Sequence, residues 1–181
     1  ASHNAKEYNG MKISKTDALP VGYDTGLNKL EEMMQTEKII VSEKKGTIVD
    51  YDQKQIYIDF LKEYIPDVSD MKIAIDCSNG MAALLIKELL GDQPVYLFDE
   101  LDGTFPNHDA NPLKAENIVD LQNLVKKEKA DIGIIFDGDA DRVMFVDENA
   151  RFISPDLMIA VLADYYKDEK GIFLQDIRTS K

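Results

Sequence analysis

Between Lys72 and Ile153 the chain alternates short apolar runs with amphipathic ones, and this alternation confines it to an α/β architecture. Lys72-Ile73-Ala74-Ile75-Asp76, Val95-Tyr96-Leu97-Phe98 and Asp131 to Phe136 are too short for helices and read as buried strands. Met81 to Leu90 reads as a helix, entered through a capping Ser78-Asn79-Gly80 and closed by Gly91. Glu116 to Lys129 reads as a second, with Ile118, Leu121, Leu124 and Val125 on its inward face. Val143–Val146 and Arg151–Ile153 form a hairpin. The expected fold is a mixed sheet flanked by helices.

The flanks carry different patterns. Residues 7–14 read as a turn at Asn9-Gly10 leading into a short strand, and Leu19-Pro20-Val21-Gly22 as loop. Leu27 to Ile40 is helix-like, with Leu27, Leu30, Met33 and Met34 on one face, and residues 42–50 form a polar linker. Gln53 to Tyr64 is amphipathic, with Ile56, Tyr57, Phe60, Leu61 and Tyr64 as its apolar stripe and Pro66 beyond its end. After Pro155, Asp156 to Tyr166 reads as a helix and Gly171 to Gln175 as a strand. The 181 residues suffice for one domain or a little more, and with Ala1 in place of an opening Met the chain is expected to be a piece of something longer.

Composition narrows the function. With 44% hydrophobic and 30% charged residues the chain has enough apolar material for a core and is neither disordered nor fibrous. The net charge of -13 excludes a general nucleic-acid or anionic-membrane binder, so any anionic ligand must be held by local cations or a metal. A lone Cys77 cannot form an internal disulfide, which fits a reducing, cytoplasmic setting, and it reads as a small core residue. No run reaches the roughly 20 apolar residues that span a bilayer, and no signal peptide is visible.

The strongest local signal is Phe136-Asp137-Gly138-Asp139-Ala140-Asp141-Arg142. Three carboxylates at alternate positions follow an apolar strand, and ligands of open α/β sheets bind at the carboxyl ends of strands. Acids this close repel, and a hard divalent cation relieves the repulsion. Gly138 and Ala140 are small enough for the loop to curl around one, and Arg142 adds a fixed fork suited to phosphate. These features outweigh the blander alternative, a solvated acidic turn. An EF-hand fits Asp137, Asp139, Asp141 and Glu148 in spacing, but Arg142 occupies the position that needs glycine and the flanks read as strands. An aspartyl-nucleophile phosphotransferase of the haloacid dehalogenase type, with phosphate carried on Asp137, stays open, although Asp141 stands where Thr or Val is expected. So does a non-catalytic acidic metal-binding module.

Ala1-Ser2-His3-Asn4, then Tyr8-Asn9-Gly10 and Lys12, then Asp137-Gly138-Asp139-Ala140-Asp141-Arg142, resembles in order the α-D-phosphohexomutase superfamily of phosphomannomutases, phosphoglucomutases and phosphoglucosamine mutases. The likeness extends to Gly103-Thr104-Phe105-Pro106-Asn107-His108 with Asn111-Pro112, to Val146-Asp147-Glu148, and to Ile153-Ser154-Pro155-Asp156. The chain departs from the pattern at Ala5, usually proline, and at Ala140, often glycine.

The resemblance implies a function. Ser2 would carry a phosphoryl group and, with Asp137, Asp139 and Asp141, complete an oxygen shell suited to Mg²⁺. Lys12 would act as general acid or base, His3 would support the serine loop, and Arg142 would neutralise charge on the phosphoryl group. His108 is expected to organise its loop. The substrate would be a phosphosugar, interconverted between hexose 1-phosphate and hexose 6-phosphate through a bisphosphorylated intermediate. By this likeness residues 1–48 are the tail of a first domain, 49–154 a complete second domain and 155–181 the start of a third. Such a piece alone is expected to show no mutase turnover. Which hexose it serves and its oligomeric state stay open.

Overall fold

The computed structural model describes residues 7–8, 10–37, 41–172 and 174. Its centre is a five-stranded mixed sheet: β1 (Ile73–Asp76), β2 (Val95–Leu97), β3 (Ile132–Phe136), β4 (Val143–Asp147) and β5 (Phe152–Ile153), in the order β2-β1-β3-β4-β5. β1 pairs in parallel with both β2 and β3, and β3-β4-β5 is an antiparallel run. The register places Ile75 between Tyr96 and Ile134, and Ile134 beside Phe145. The alternation in the sequence therefore gives the mixed α/β sheet it implies.

Side chains alternate across the strands and build a separate apolar cluster on each face. Ile73, Ile75 and Cys77 point to one face, with Ile132, Ile134 and Phe136 packing beside them. Ala82 in the 3₁₀ turn Met81–Leu84 and Ile86 in α3 (Ile86–Leu90) cover that face. Ala74, Ile135, Met144 and Val146 point to the other, beneath Ile118, Leu121, Leu124 and Val125. α4 (Val119–Glu128) supplies three of those, and each large side chain so buried contributes about 1.5–3 kcal/mol. α4 lies close because β3 has a glycine beneath it. A Cβ on Gly133 would stand 2.8 Å from Val125 Cγ2 and 3.1 Å from Leu121 Cγ.

The structure corrects four local expectations. Met81 to Leu90 is a 3₁₀ turn followed by a single short helix, and no side chain caps it: Gly80 is the N-cap, while Ser78 and Asn79 bond elsewhere. Residues 7–14 form no strand beyond one bridge from Ser14 to Pro20 among the described residues. In α2 (Lys54–Lys62) the buried residue is Ile58, at 1% exposure, whereas Ile56, Tyr57, Phe60 and Tyr64 are exposed. Among the described residues α2 packs on α3 with Ile58 buried, and the other apolar positions keep contact with solvent. α1 (Leu27–Gln35) ends short of Ile40, and Leu30, Met33 and Met34 on its apolar face are exposed. Ile40, and Phe173 and Gln175 of the expected last strand, lie outside the described residues. α5 (Pro155–Tyr165) starts where expected, with Ser154 capping and Pro155 in the first turn.

Candidate functional site

Asp137 is the residue after β3, at the carboxyl end of the sheet, and is fully buried. A carboxylate there requires paired donors. Arg142 supplies them by folding back over the turn. Its backbone N–H donates to Oδ1 at 3.1 Å, its Nε donates to Oδ2 at 2.9 Å, and a terminal guanidinium nitrogen lies 2.8 Å from the same Oδ2. Arg142 also reaches Asp141 Oδ1 at 3.5 Å. Ala140 closes the turn with φ 59°, and its N–H donates to the Asp137 carbonyl. A left-handed alanine costs roughly 1–2 kcal/mol, which accounts for the glycine that the resemblance expects there.

One carboxylate oxygen from each of Asp137, Asp139 and Asp141 falls within 4.8 Å of the others, with Asp137 buried and the other two exposed. The donors are all hard oxygens, as Mg²⁺ or Ca²⁺ prefers. Asp137 Oδ1 has a second lone pair beyond its bond to Arg142 N–H, so the set fits a divalent cation without loss of the Arg142 pair. Asp137 and Asp141 are electrostatically unequal. Burial pushes the Asp137 carboxyl up, against the pull of the Arg142 backbone bond and charge, and the charges of Asp139 and Asp141 add to the rise. Desolvation also opposes ionisation of Asp141, but its neighbours Asp137, Lys12, Asp139 and Arg142 together hold it below the ordinary carboxylate range. Asp137 thus holds a proton more readily than Asp141, and a cation bound at the loop would displace it.

Lys12, distant in sequence, comes to this loop: its Nζ lies 3.7 Å from Asp141 Oδ2, with a side chain 90% exposed. Lys12, Arg142 and the three aspartates therefore share one corner of the molecule. Ser2 and His3 lie outside the described residues. Asp137 is a poor candidate for a phosphoryl-accepting nucleophile, since it is buried and both its oxygens are engaged. Glu148, the twelfth position of an EF-hand, sits in the turn between β4 and β5, and the loop's flanks are strands, which excludes that motif.

Sequence reasoning did not find the scaffold behind the loop. Ser78 Oγ donates to the Phe136 carbonyl at 2.7 Å, and Met81 N–H donates to the Gly138 carbonyl at 2.9 Å. Two consecutive left-handed residues, Ser78 (φ 51°) and Asn79 (φ 52°), make the turn possible. Asp76, fully buried, lies 3.1 Å from His108 Nε2. The polar run Asp76-Cys77-Ser78-Asn79-Gly80 was the one available signal. Its role is to brace the loop rather than to cap a helix.

Residues 55–150 match the family model described as phosphoglucomutase/phosphomannomutase, alpha/beta/alpha domain II. The phosphomannomutase of Vibrio cholerae is 35% identical across 99% of this chain, which corresponds to 42% of its own length. The phosphomannomutase/phosphoglucomutase of Pseudomonas syringae pv. tomato is 36% identical across 94% of this chain and 37% of its own. A crystal structure of a phosphoglucomutase/phosphomannomutase family protein from Burkholderia thailandensis superposes with a TM-score of 0.81 at 30% identity, over 94% of this chain and 37% of that one. The chain thus spans about two fifths of the length of the curated relatives it matches. A mixed sheet with an acidic turn at its carboxyl edge, and a family match that spans that turn and strands β1 to β4, carry one conclusion: the chain belongs to the phosphoglucomutase/phosphomannomutase family.

Proposed function

We propose that this chain supplies the phosphoserine loop and the cation-binding α/β unit of a cytoplasmic hexose-phosphate mutase. The whole enzyme would interconvert the 1-phosphate and 6-phosphate of glucose, mannose or both. Residues 1–48 would close a first domain, 49–154 form the second and 155–181 open a third. The observation that carries the reading is the convergence of Lys12 on the Asp137–Asp141 loop, with Arg142 at the same corner. The similarity to a phosphomannomutase and a phosphomannomutase/phosphoglucomutase supports the substrate class.

In this reading Asp137, Asp139 and Asp141 would hold Mg²⁺, with Ser2 as a further oxygen donor. When bound, Mg²⁺ would neutralise charge on the transferring phosphoryl group. Ser2 carries that group as a phosphate ester, passes it to one sugar hydroxyl and receives the other phosphate back, so the enzyme ends as it began. Lys12 takes the proton from the attacking hydroxyl and returns it to the oxygen that leaves. His3 supports the serine loop. Arg142 favours the ionised form of Asp137 against its burial and holds it in place, and its guanidinium presents the only fixed positive charge that touches both Asp137 and Asp141 among the described residues.

Calorimetric titration with Mg²⁺ tests the centre of this reading. The chain should bind the ion and Asp139→Ala should lose most of that affinity. Equal binding by both, or none by either, would overturn it. Mass spectrometry of the whole protein tests the relay, with phosphate expected on Ser2 and not on Asp137.

A further inference from the structure

We propose that His108 and Asp76 form a positioning pair that holds the acidic loop in place, and that the pair acts only while it keeps a proton. The effect on cation affinity rests on the reading of that loop as a metal site; the mechanical coupling does not.

The geometry requires the proton. Asp76 sits at the carboxyl end of β1 with its side chain wholly buried, and only 7% of the His108 side chain is exposed. Asp76 Oδ1 accepts the Ser78 N–H at 2.8 Å, and Asp76 Oδ2 faces His108 Nε2 at 3.1 Å. His108 Nδ1 faces the Asp109 carbonyl oxygen at 2.9 Å. A carbonyl only accepts, so Nδ1 carries hydrogen. Nε2 then either donates to a carboxylate or accepts from a carboxylic acid. Both arrangements contain the same dissociable proton. Its loss leaves two lone pairs facing each other in a buried site.

The groups around the ring favour retention. Asp76 faces it from β1, Asp120 acts on it from α4, and Asp109 lies in its own loop with its carboxylate paired to Lys114. The uncharged Phe98 ring stands edge to face at 5.3 Å. Burial pushes the imidazole down, but hydrogen bonds to Asp76 and the Asp109 carbonyl, with the charges of Asp76 and Asp120, raise it above its ordinary value.

The pair reaches the acidic loop through one turn. On one side of residues 76–80, Asn79 N–H donates to the Phe98 carbonyl, Asn79 Nδ2 to the Glu100 carbonyl, and Asn107 Nδ2 to Asn79 Oδ1. On the other side, Ser78 Oγ holds the Phe136 carbonyl and Met81 N–H holds that of Gly138. Two consecutive left-handed residues persist only where their surroundings over-determine them. Freeing Asp76 from His108 loosens that turn, and Gly138 moves with it.

Nuclear magnetic resonance on the ¹⁵N-labelled protein, free of metal, between pH 6 and 9 tests this. The His108 ring should titrate above the usual imidazole range, and the Gly138 and Ala140 amides should shift with the same midpoint. His108→Asn should abolish that amide titration, and Asp120→Asn should lower the His108 and Gly138 midpoints together. Gly138 and Ala140 amides that stay flat through the His108 midpoint, or that move independently of it in Asp120→Asn, would overturn the proposal. The Asp120 variant and the native titration decide the matter even if His108→Asn fails to fold. A Mg²⁺ titration adds the functional arm. Native affinity should fall about tenfold as pH rises through the midpoint, the size typical of losing a group that orients a metal ligand. Absence of Mg²⁺ binding at every pH would refute the metal reading alone, because the amide titration is read without metal.

Discussion

Gly80 and Gly138 touch backbone to backbone: a Cβ on Gly80 would stand 2.7 Å from the Gly138 carbonyl oxygen and 3.1 Å from its Cα. The obstacle is backbone on both sides, so no side-chain rotation relieves it. Gly80→Ala should therefore destabilise the fold by about 1–3 kcal/mol, the usual cost of overpacking. It should also displace the acidic loop and weaken Mg²⁺ binding. Gly103, where a Cβ meets nothing within 4 Å, is the control. Urea denaturation of both variants checks this; equal midpoints for Gly80→Ala and Gly103→Ala would refute it.

Arg142 is the partner of a carboxylate with no access to water. Arg142→Ala leaves Asp137 buried and unpaired, which should cost about 3–5 kcal/mol near neutral pH. The sign of the pH dependence follows from the same charge. Asp137 is already harder to ionise than usual, and removal of Arg142 raises it further. Protonation removes the unpaired charge, so the penalty should shrink as pH falls. Saturating Mg²⁺ should shrink it too at neutral pH, by supplying a replacement counter-charge. Denaturation curves at pH 5 and 7.5, with and without Mg²⁺, give the measurement.

The acidic loop and the α4 face were legible because their information is local. Asp137, Asp139, Asp141 and Arg142 lie within six residues, and Ile118, Leu121, Leu124 and Val125 repeat at helical spacing and are all buried. α2 shows the limit of such patterning. It has apolar residues on more than one side, and which side is covered depends on where α3 packs. The pair of His108 with Asp76 was out of reach for a different reason. It closes across 32 residues and an irregular loop, and no periodicity encodes the register of a loop. The left-handed Ser78-Asn79 turn was invisible for the same reason, since neither residue is a glycine.

His108 also makes the fold sensitive to mild alkali. Its folded value is raised above 6.5, so its contribution to stability is complete below the unfolded value and is lost as pH rises through the folded one. Aspartates such as Asp109 and Asp147, held low by Lys114 and Arg151, act in the opposite sense and only in acid. Stability should therefore decline from pH 6.5 toward pH 9 in the native protein. His108→Gln should be less stable throughout but should show a flatter profile over that range. A parallel decline in both would assign the slope to another group.

Cys77 offers a direct measure of how tightly β1 is held. The thiol is fully buried, and burial, reinforced by the charges of Asp76 and Asp99, pushes it up to about 12. Only the thiolate reacts, so the native protein should be inert to a disulfide reagent at pH 8 on the timescale in which the urea-unfolded chain reacts fully. Residual modification must then proceed through opening of β1 and the turn that follows it. Gly80→Ala and His108→Gln both loosen that turn and should speed labelling, while Gly103→Ala should not. The ratio of labelling rates reads the local opening equilibrium without reference to metal or substrate. Equal rates in all four proteins would show that the turn after β1 does not depend on either contact.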